Sequence, residues 1–410
     1  MKNNKSVIFS SATFLFVAKW FLLAILVGVL AGSASAFFLV SLNWVTEWRE
    51  THPWIIWLLP IGGFIVGAAY YYWGQDVVNG NNQLIEEFHS PSQVIPLKMA
   101  PLVLFGTLVT HLFGGSAGRE GTAVQMGGAI ADQFTKLFRF SNDDRRILII
   151  IGISAGFASV FGTPLAGSIF ALEVLIVGRM RYEALLPSLL TALVADYTCH
   201  AWQIAHTHYS IPVVPAMHVD SLLWTLAVGG IFGLTAFAFS KTVHLWADFF
   251  KRSIAYPPLR PVVGGAILAV CILLLGTTRH IGLGIPTIVA SFKEPLAHYD
   301  FVLKLLFTTF TLGAGFKGGE VTPLFFIGAT LGNALVAFVP LPMALLAGMG
   351  FVSVFAGATN TPIACTLMGM ELFGAECGIF IALSSVVAYL FSGHSSIYSA
   401  QVFKKEKTEY

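Results

Sequence analysis

"GGSAGREGTAVQMGG", residues 114–128, sets Arg119 and Glu120 side by side in a run of small residues. The surrounding chain is strongly apolar. Of its 410 residues 56% are hydrophobic and only 11% are charged, against roughly 25% charge in a soluble domain. Such a chain reads as an all-α polytopic membrane protein, with the lipid bilayer as its partner. A charge in hydrocarbon is expensive and is kept where it faces a cavity or an ion path. Glu120 therefore needs a reason to be there, and its glycine neighbours narrow the choice.

Outward from this stretch, apolar segments fall near residues 12–45, 54–73, 98–113, 123–138, 146–160, 163–178, 184–198, 218–245, 261–276, 301–315, 322–339, 343–357, 361–373 and 376–392. Several are shorter than the roughly 20 residues of a full span, and glycine or proline separates them. Short, interrupted segments predict half-helices that meet inside the membrane. The first run exceeds a signal-peptide core and lacks a clear cleavage site, so it is expected to stay as a spanning helix. Lys2 and Lys5 precede it, and Lys404, Lys405 and Lys407 follow the last apolar run; basic residues beside spans prefer the cytoplasm, which puts both termini inside. No polar stretch is long enough for a soluble domain, so residues 1–410 are expected to form one transmembrane domain. A net charge of +2 shows no nucleic-acid footprint. Cys199, Cys271, Cys365 and Cys377 are scattered without a CxxC pair, so neither disulfides nor a zinc site are expected. No cofactor or metal is expected.

The chain repeats itself. "GREGT" at 118–122 aligns with "GGEVT" at 318–322, pairing Gly118 with Gly318, Glu120 with Glu320 and Thr122 with Thr322. "TPLAGSIFALE" at 163–173 aligns with "TPIACTLMGME" at 361–371, pairing Glu173 with Glu371. The chain thus reads as two related halves, about 12–200 and 218–400. Repeats with broken helices mark secondary transporters, whose substrate site lies where the halves meet.

Each glycine-flanked glutamate begins an apolar segment, and so sits at a predicted helix N-terminus. There backbone N–H groups lack partners and the dipole end is positive. Two such ends aimed at one spot form an anion site from backbone. A glutamate at that site has two uses: ionised, it competes with the anion for the same N–H groups; protonated, it leaves and carries a proton. The plainer alternative makes Glu120 and Glu320 simple complements to helix dipoles. Arg119 reads as a local partner rather than a substrate ligand. Glu173 and Glu371 read as structural capping or pairing groups. Glu86, Glu87 and Lys98 read as part of an aqueous mouth. His200, His206 and His208, in "CHAWQIAHTHYS", read as structural or interfacial, with Asp196 and Glu183 solvated beside them.

These residues resemble the CLC family of chloride channels and transporters. "GREGT" is similar to that family's GREGP motif, "GAGFKGGEVTPLFFIGATLG" to its GGxFxP and GAxxG motifs, and Tyr398 in "SSIYSAQ" falls at its pore tyrosine. The resemblance implies inverted-topology helical halves, broken helices meeting at an anion site, and a homodimer with one pore per subunit. Its departures point to the fluoride/proton-exchanging CLC-F branch. "GNNQLIEEF" at 80–88 replaces GSGIP, with Asn81 at the serine; Glu320 and Thr322 stand where other members are apolar; and Val174 replaces the inner proton glutamate. The implied function is a fluoride exporter exchanging fluoride for protons in a prokaryotic inner membrane, not an enzyme, with a chloride/proton antiporter or passive anion channel as the alternative. Glu120 would gate, Glu320 would be a second protonatable group, and Asn81, Gly121, Glu320, Val321, Thr322 and Tyr398 would bind the anion. Fluoride, a strong hydrogen-bond acceptor, suits a donor-rich site. Ring edges are positive, so Phe113, Phe316, Phe325 and Phe326 are candidates for edge contacts, with ordinary packing as the alternative.

Overall fold

The computed structural model describes residues 11–404 and Lys407. Lys2, Lys5 and Lys405, three of the five lysines used to orient the termini, lie outside the described residues. Among the described residues the chain forms sixteen α-helices: α1 (Ser11–Thr51), α2 (Leu59–Trp73), α3 (Asn81–His89), α4 (Met99–Leu112), α5 (Glu120–Phe138), α6 (Asn142–Phe161), α7 (Pro164–Glu173), α8 (Leu185–Ala201), α9 (Val219–Ser253), α10 (Leu259–Leu275), α11 (Ile285–Ser291), α12 (Asp300–Gly313), α13 (Val321–Leu335), α14 (Met343–Thr359), α15 (Pro362–Phe373) and α16 (Gly378–Phe391). Two-residue strands β1 (Ile176–Val177) and β2 (Val402–Phe403) pair in parallel.

Helix lengths follow the apolar segments. At 41 residues α1 is about 60 Å long, twice a hydrocarbon core. By contrast α7, α13 and α15 have 10, 15 and 12 residues, too few to cross alone. α7 and α15 both open on Thr-Pro, where the missing proline N–H costs nothing. Two helices lie outside every apolar segment. α3 is amphipathic and carries Glu86 and Glu87; α11 has only seven residues.

A helix that ends inside protein leaves N–H groups needing partners. Here the two halves of the sequence supply each other's. Glu173, at the end of α7, accepts from Ile363 N (3.1 Å) and Ala364 N (2.9 Å) at the start of α15. Glu371, near the end of α15, accepts from Leu165 N (2.9 Å) and Ala166 N (2.8 Å) at the start of α7. Two helix ends that would be costly in apolar surroundings are thereby satisfied, each by the carboxylate its dipole favours.

Glycine brings the neighbouring helices into backbone contact. A Cβ on Gly328 of α13 would lie 1.9 Å from the Gly350 carbonyl oxygen of α14. In the first half, one on Gly127 of α5 would lie 2.3 Å from the Gly152 oxygen of α6. Small residues at such crossings let membrane helices pack closely where no hydrophobic drive exists. The fully buried Phe157, Phe170, Phe325, Phe351 and Phe355 fill the space between these pairs.

The segment after α16 folds back into the protein. Gln401 Nε2 donates to the carbonyls of Val174 and Thr359 (both 2.8 Å), and Asn360 Nδ2 donates to Ser395 O and to Gln401 Oε1. These bonds, with the β1–β2 pair, carry Tyr398 into the core, where it is 6% exposed. Glu87 is not part of an aqueous mouth. It is buried, accepting from Ser92 Oγ (2.6 Å) and Arg145 Nη1 (3.0 Å), while Arg145 also reaches Asp132 (2.8 Å). A carboxylate with that many donors needs no water, and a run of acids in sequence gave no sign of an arginine 58 residues away.

Candidate anion site

The two glycine motifs meet. Gly118 N donates to Gly319 O (2.5 Å) and Gly319 N to Gly118 O (2.8 Å), an isolated antiparallel bridge that binds the start of α5 to the start of α13. Gly118 has no room for a side chain: a Cβ would sit 2.9 Å from both the Gly319 oxygen and Pro323 Cδ. The bridge fixes the two helix N-termini against one another, so partial positive charge from both is focused at one place.

Glu120 fills that place. It is fully buried, and its carboxylate accepts from Thr322 Oγ1 (2.5 Å, to Oε1), Thr322 N (3.0 Å, to Oε2) and Arg119 N (3.2 Å, to Oε2). Arg119 Nε lies 3.4 Å from Oε1, the local pairing expected of it. A carboxylate from α5 thus takes the backbone and hydroxyl donors at the start of α13, which are the donors an anion would use.

Two further candidate residues, Asn81 and Glu320, stand beside Gly121. An ideal Cβ there would meet Asn81 Nδ2 at 2.9 Å, the Gly319 Cα at 3.1 Å and Glu320 Oε2 at 3.6 Å. Asn81 Oδ1 and Glu320 Oε2 are both buried without a hydrogen-bond partner. Polar atoms rarely stay unpaired inside a protein, and those that do call for an explanation such as an ion or a proton on the move. Val321 and Thr322 are buried in the first turn of α13. Tyr398 lies within electrostatic reach of both Glu320 and Glu120. Asn82 Oδ1 accepts from Ala400 N (3.1 Å), tying α3 to the Tyr398 segment. Gly80, which precedes α3 at φ +56°, lets the chain turn into the helix that carries Asn81 beside Gly121.

The four phenylalanines make packing contacts. Phe325 stacks on Phe351 with centroids 4.0 Å apart, and Phe326 lies 5.2 Å from Lys304 Nζ. Phe113 and Phe316 press on Gly62 and Gly63 of α2. Sequence reading missed Thr107, whose hydroxyl pairs with that of Thr122 at 2.7 Å; a threonine within an apolar helix was its one signal. It also missed a buried set outside the site, Lys304 bonded to the carbonyls of His280 (3.2 Å) and Gly282 (2.6 Å), with His280 on Asp300 (2.8 Å).

Residues 62–393 match the family model described as voltage gated chloride channel. A protein from Pseudomonas syringae pv. tomato described as a chloride/fluoride channel protein is 56% identical over 392 residues, covering 94% of this chain and 87% of that one. An H(+)/Cl(-) exchange transporter ClcA from Vibrio vulnificus is 28% identical over 94% of this chain and 90% of its own. Among solved structures, a CLC-type fluoride/proton antiporter superposes with a TM-score of 0.92 at 37% identity, over 96% of this chain and 99% of that one. A slow cyanobacterial Cl-/H+ antiporter, at 21% identity and a TM-score of 0.81, shares the fold.

Proposed function

The chain belongs to the voltage-gated chloride channel family of integral membrane proteins, and within it we propose a fluoride exporter that exchanges fluoride for protons. The observation that carries this reading is the Glu120 carboxylate seated on the N–H and hydroxyl of Thr322. Carboxylate and anion compete for one set of donors. When Glu120 takes a proton it loses the charge that holds it there, swings out, and leaves those donors to an anion. When the anion departs, Glu120 gives up the proton and returns. Each cycle moves an anion and a proton in opposite directions.

Several features favour fluoride over chloride. Fluoride is small and a strong acceptor, and the Thr322 hydroxyl, the Asn81 amide, the backbone of Gly121 and Val321 and the Tyr398 hydroxyl are all donors. Glu320 supplies a second protonatable group beside Gly121, and the buried Val174 removes one elsewhere. The relatives described as handling fluoride are also the more identical ones, at 56% and 37%. The halves 12–200 and 218–400 are related by inverted topology, two chains form the working dimer in a prokaryotic inner membrane with both termini cytoplasmic, and the protein is a transporter rather than an enzyme. The reciprocal capping of α7 and α15 supports the two halves.

Purified protein in liposomes loaded with fluoride tests this. Fluoride efflux, read by a fluoride electrode, should be accompanied by proton uptake and should exceed chloride efflux under the same gradient. Faster chloride than fluoride exchange supports the chloride/proton antiporter instead, and anion efflux without proton movement supports a passive channel.

A further inference from the structure

The connector between α8 and α9 brings Asp196, His200 and His206 together, with His206 within electrostatic reach of Arg119. Their donor atoms all lie within 4.8 Å of one another. Asp196 Oδ1 stands 3.6 Å from His200 Nδ1 and 3.8 Å from His206 Nε2. Ligands around a tetrahedral zinc, bonded at about 2.0–2.2 Å, are separated by about 3.4 Å, so the two carboxylate–imidazole distances need to contract by only a few tenths of an ångström, and the remaining pair by at most about 1.4 Å.

Two of the three donor atoms are otherwise unexplained. Asp196 Oδ1 and His206 Nε2 are buried and have no hydrogen-bond partner. Their separation from each other is too long for a hydrogen bond, yet each points into the shared space. The His206 ring lies beside the Val160 backbone and sits against Gly162, where an ideal Cβ would come within 2.6 Å of it. The ring is thus held in place by its neighbours with Nε2 left free for an ion. His200 Nδ1 contacts the Asp196 carbonyl at 3.0 Å, a bond that coordination replaces. With its side chain 57% exposed, His200 opens the site to solvent. Cys199 takes no part, since its sulfur is turned to the Gly32 carbonyl.

We propose that Asp196, His200 and His206 form a binding site for a divalent transition-metal ion of the zinc class, with water completing the coordination. Two imidazoles and one carboxylate suit such ions. This goes beyond the sequence reading, in which these histidines are structural or interfacial and Asp196 is solvated. Bound metal clamps the connector onto the end of α8. The same connector carries Tyr209, packed between Phe292 and Phe351, so the clamp bears on the core beside α13 and α14.

Tag-free, chelator-treated protein titrated with Zn2+ tests the proposal, with Co2+ absorption as an independent readout of coordination. One ion per chain should bind, with a rise in thermal midpoint. Asp196→Asn and His206→Ala should each weaken binding at least ten-fold, while His208→Ala, the neighbour outside the cluster, should match the parent. Retained elution volume and fluoride transport in metal-free liposomes show that the variants are folded. The proposal is overturned if the parent binds no tighter than the double His200→Ala/His206→Ala variant, or if His208→Ala loses as much as His206→Ala; the three side chains are then an ion pair only.

Discussion

The Thr322 hydroxyl donates to Oε1 of Glu120 over 2.5 Å while the Thr322 backbone N–H donates to Oε2 over 3.0 Å. The two residues are 202 positions apart, and their meeting joins the repeat motifs into one site. A hydrogen bond to a charged group contributes about 1.5–3 kcal/mol. The hydroxyl is therefore a main holder of Glu120 and, once Glu120 leaves, a donor to the anion. Thr322→Val should lower fluoride exchange by about ten-fold or more while the ratio of protons to fluoride stays fixed, because the proton carrier is untouched. A changed ratio at unchanged rate would move the hydroxyl from anion binding to proton transfer.

Glu320 is a different case. Its Oε2 is buried without a partner, close to Gly121. A group that only complemented a helix dipole would contribute about 0.3–1 kcal/mol and its loss would leave transport intact. Glu320→Ala should instead abolish coupled fluoride and proton movement in liposomes. Retention of both fluxes returns Glu320 to a dipole partner.

Glu173 and Glu371 should behave as fold residues. Glu173→Gln and Glu371→Gln each weaken bonds to two backbone N–H groups. Leaving a buried donor poorly satisfied costs about 1–3 kcal/mol, which applies in full to the buried Ala364 N of Glu173 and less to the exposed Leu165 N of Glu371; it is seen as a lower thermal midpoint in detergent, with the proton-to-fluoride ratio of the surviving protein unchanged. A shifted ratio would place one of these carboxylates on the proton path.

The backbone contact of α13 with α14 leaves no slack. Gly328→Ala puts a methyl 1.9 Å from the Gly350 oxygen, and backbone cannot yield as a flexible side chain can. The variant should lose most of its monodisperse peak in size-exclusion chromatography, whereas Gly276→Ala, with nothing within 4 Å, should lose far less despite its positive φ.

Much of this was legible in the chain, and for physical reasons. Glycine, Thr-Pro and buried glutamate are each costly in a membrane helix, so "GREGT", "GGEVT" and the Thr-Pro pairs stand out against an apolar background, and their repetition pairs them. The capping roles of Glu173 and Glu371 could be anticipated from their match, but not that each serves the other's helix. Contacts set only by the tertiary fold stayed hidden. Arg145 reaching Glu87 and Asp132, and Asp196 meeting His206, join residues whose separation in sequence carries no period or motif. The phenylalanines were illegible for the opposite reason: in so apolar a chain an aromatic ring is unremarkable wherever it falls.

The most direct measurement follows fluoride and proton fluxes simultaneously in liposomes holding either the parent protein or Glu120→Gln. Glutamine keeps the size of the side chain and cannot carry the proton. The parent should take up protons as fluoride leaves, and Glu120→Gln should show no proton uptake coupled to whatever fluoride movement remains. Proton uptake in Glu120→Gln at the parent's ratio to fluoride would contradict the assignment of Glu120 as the group that couples the two ions.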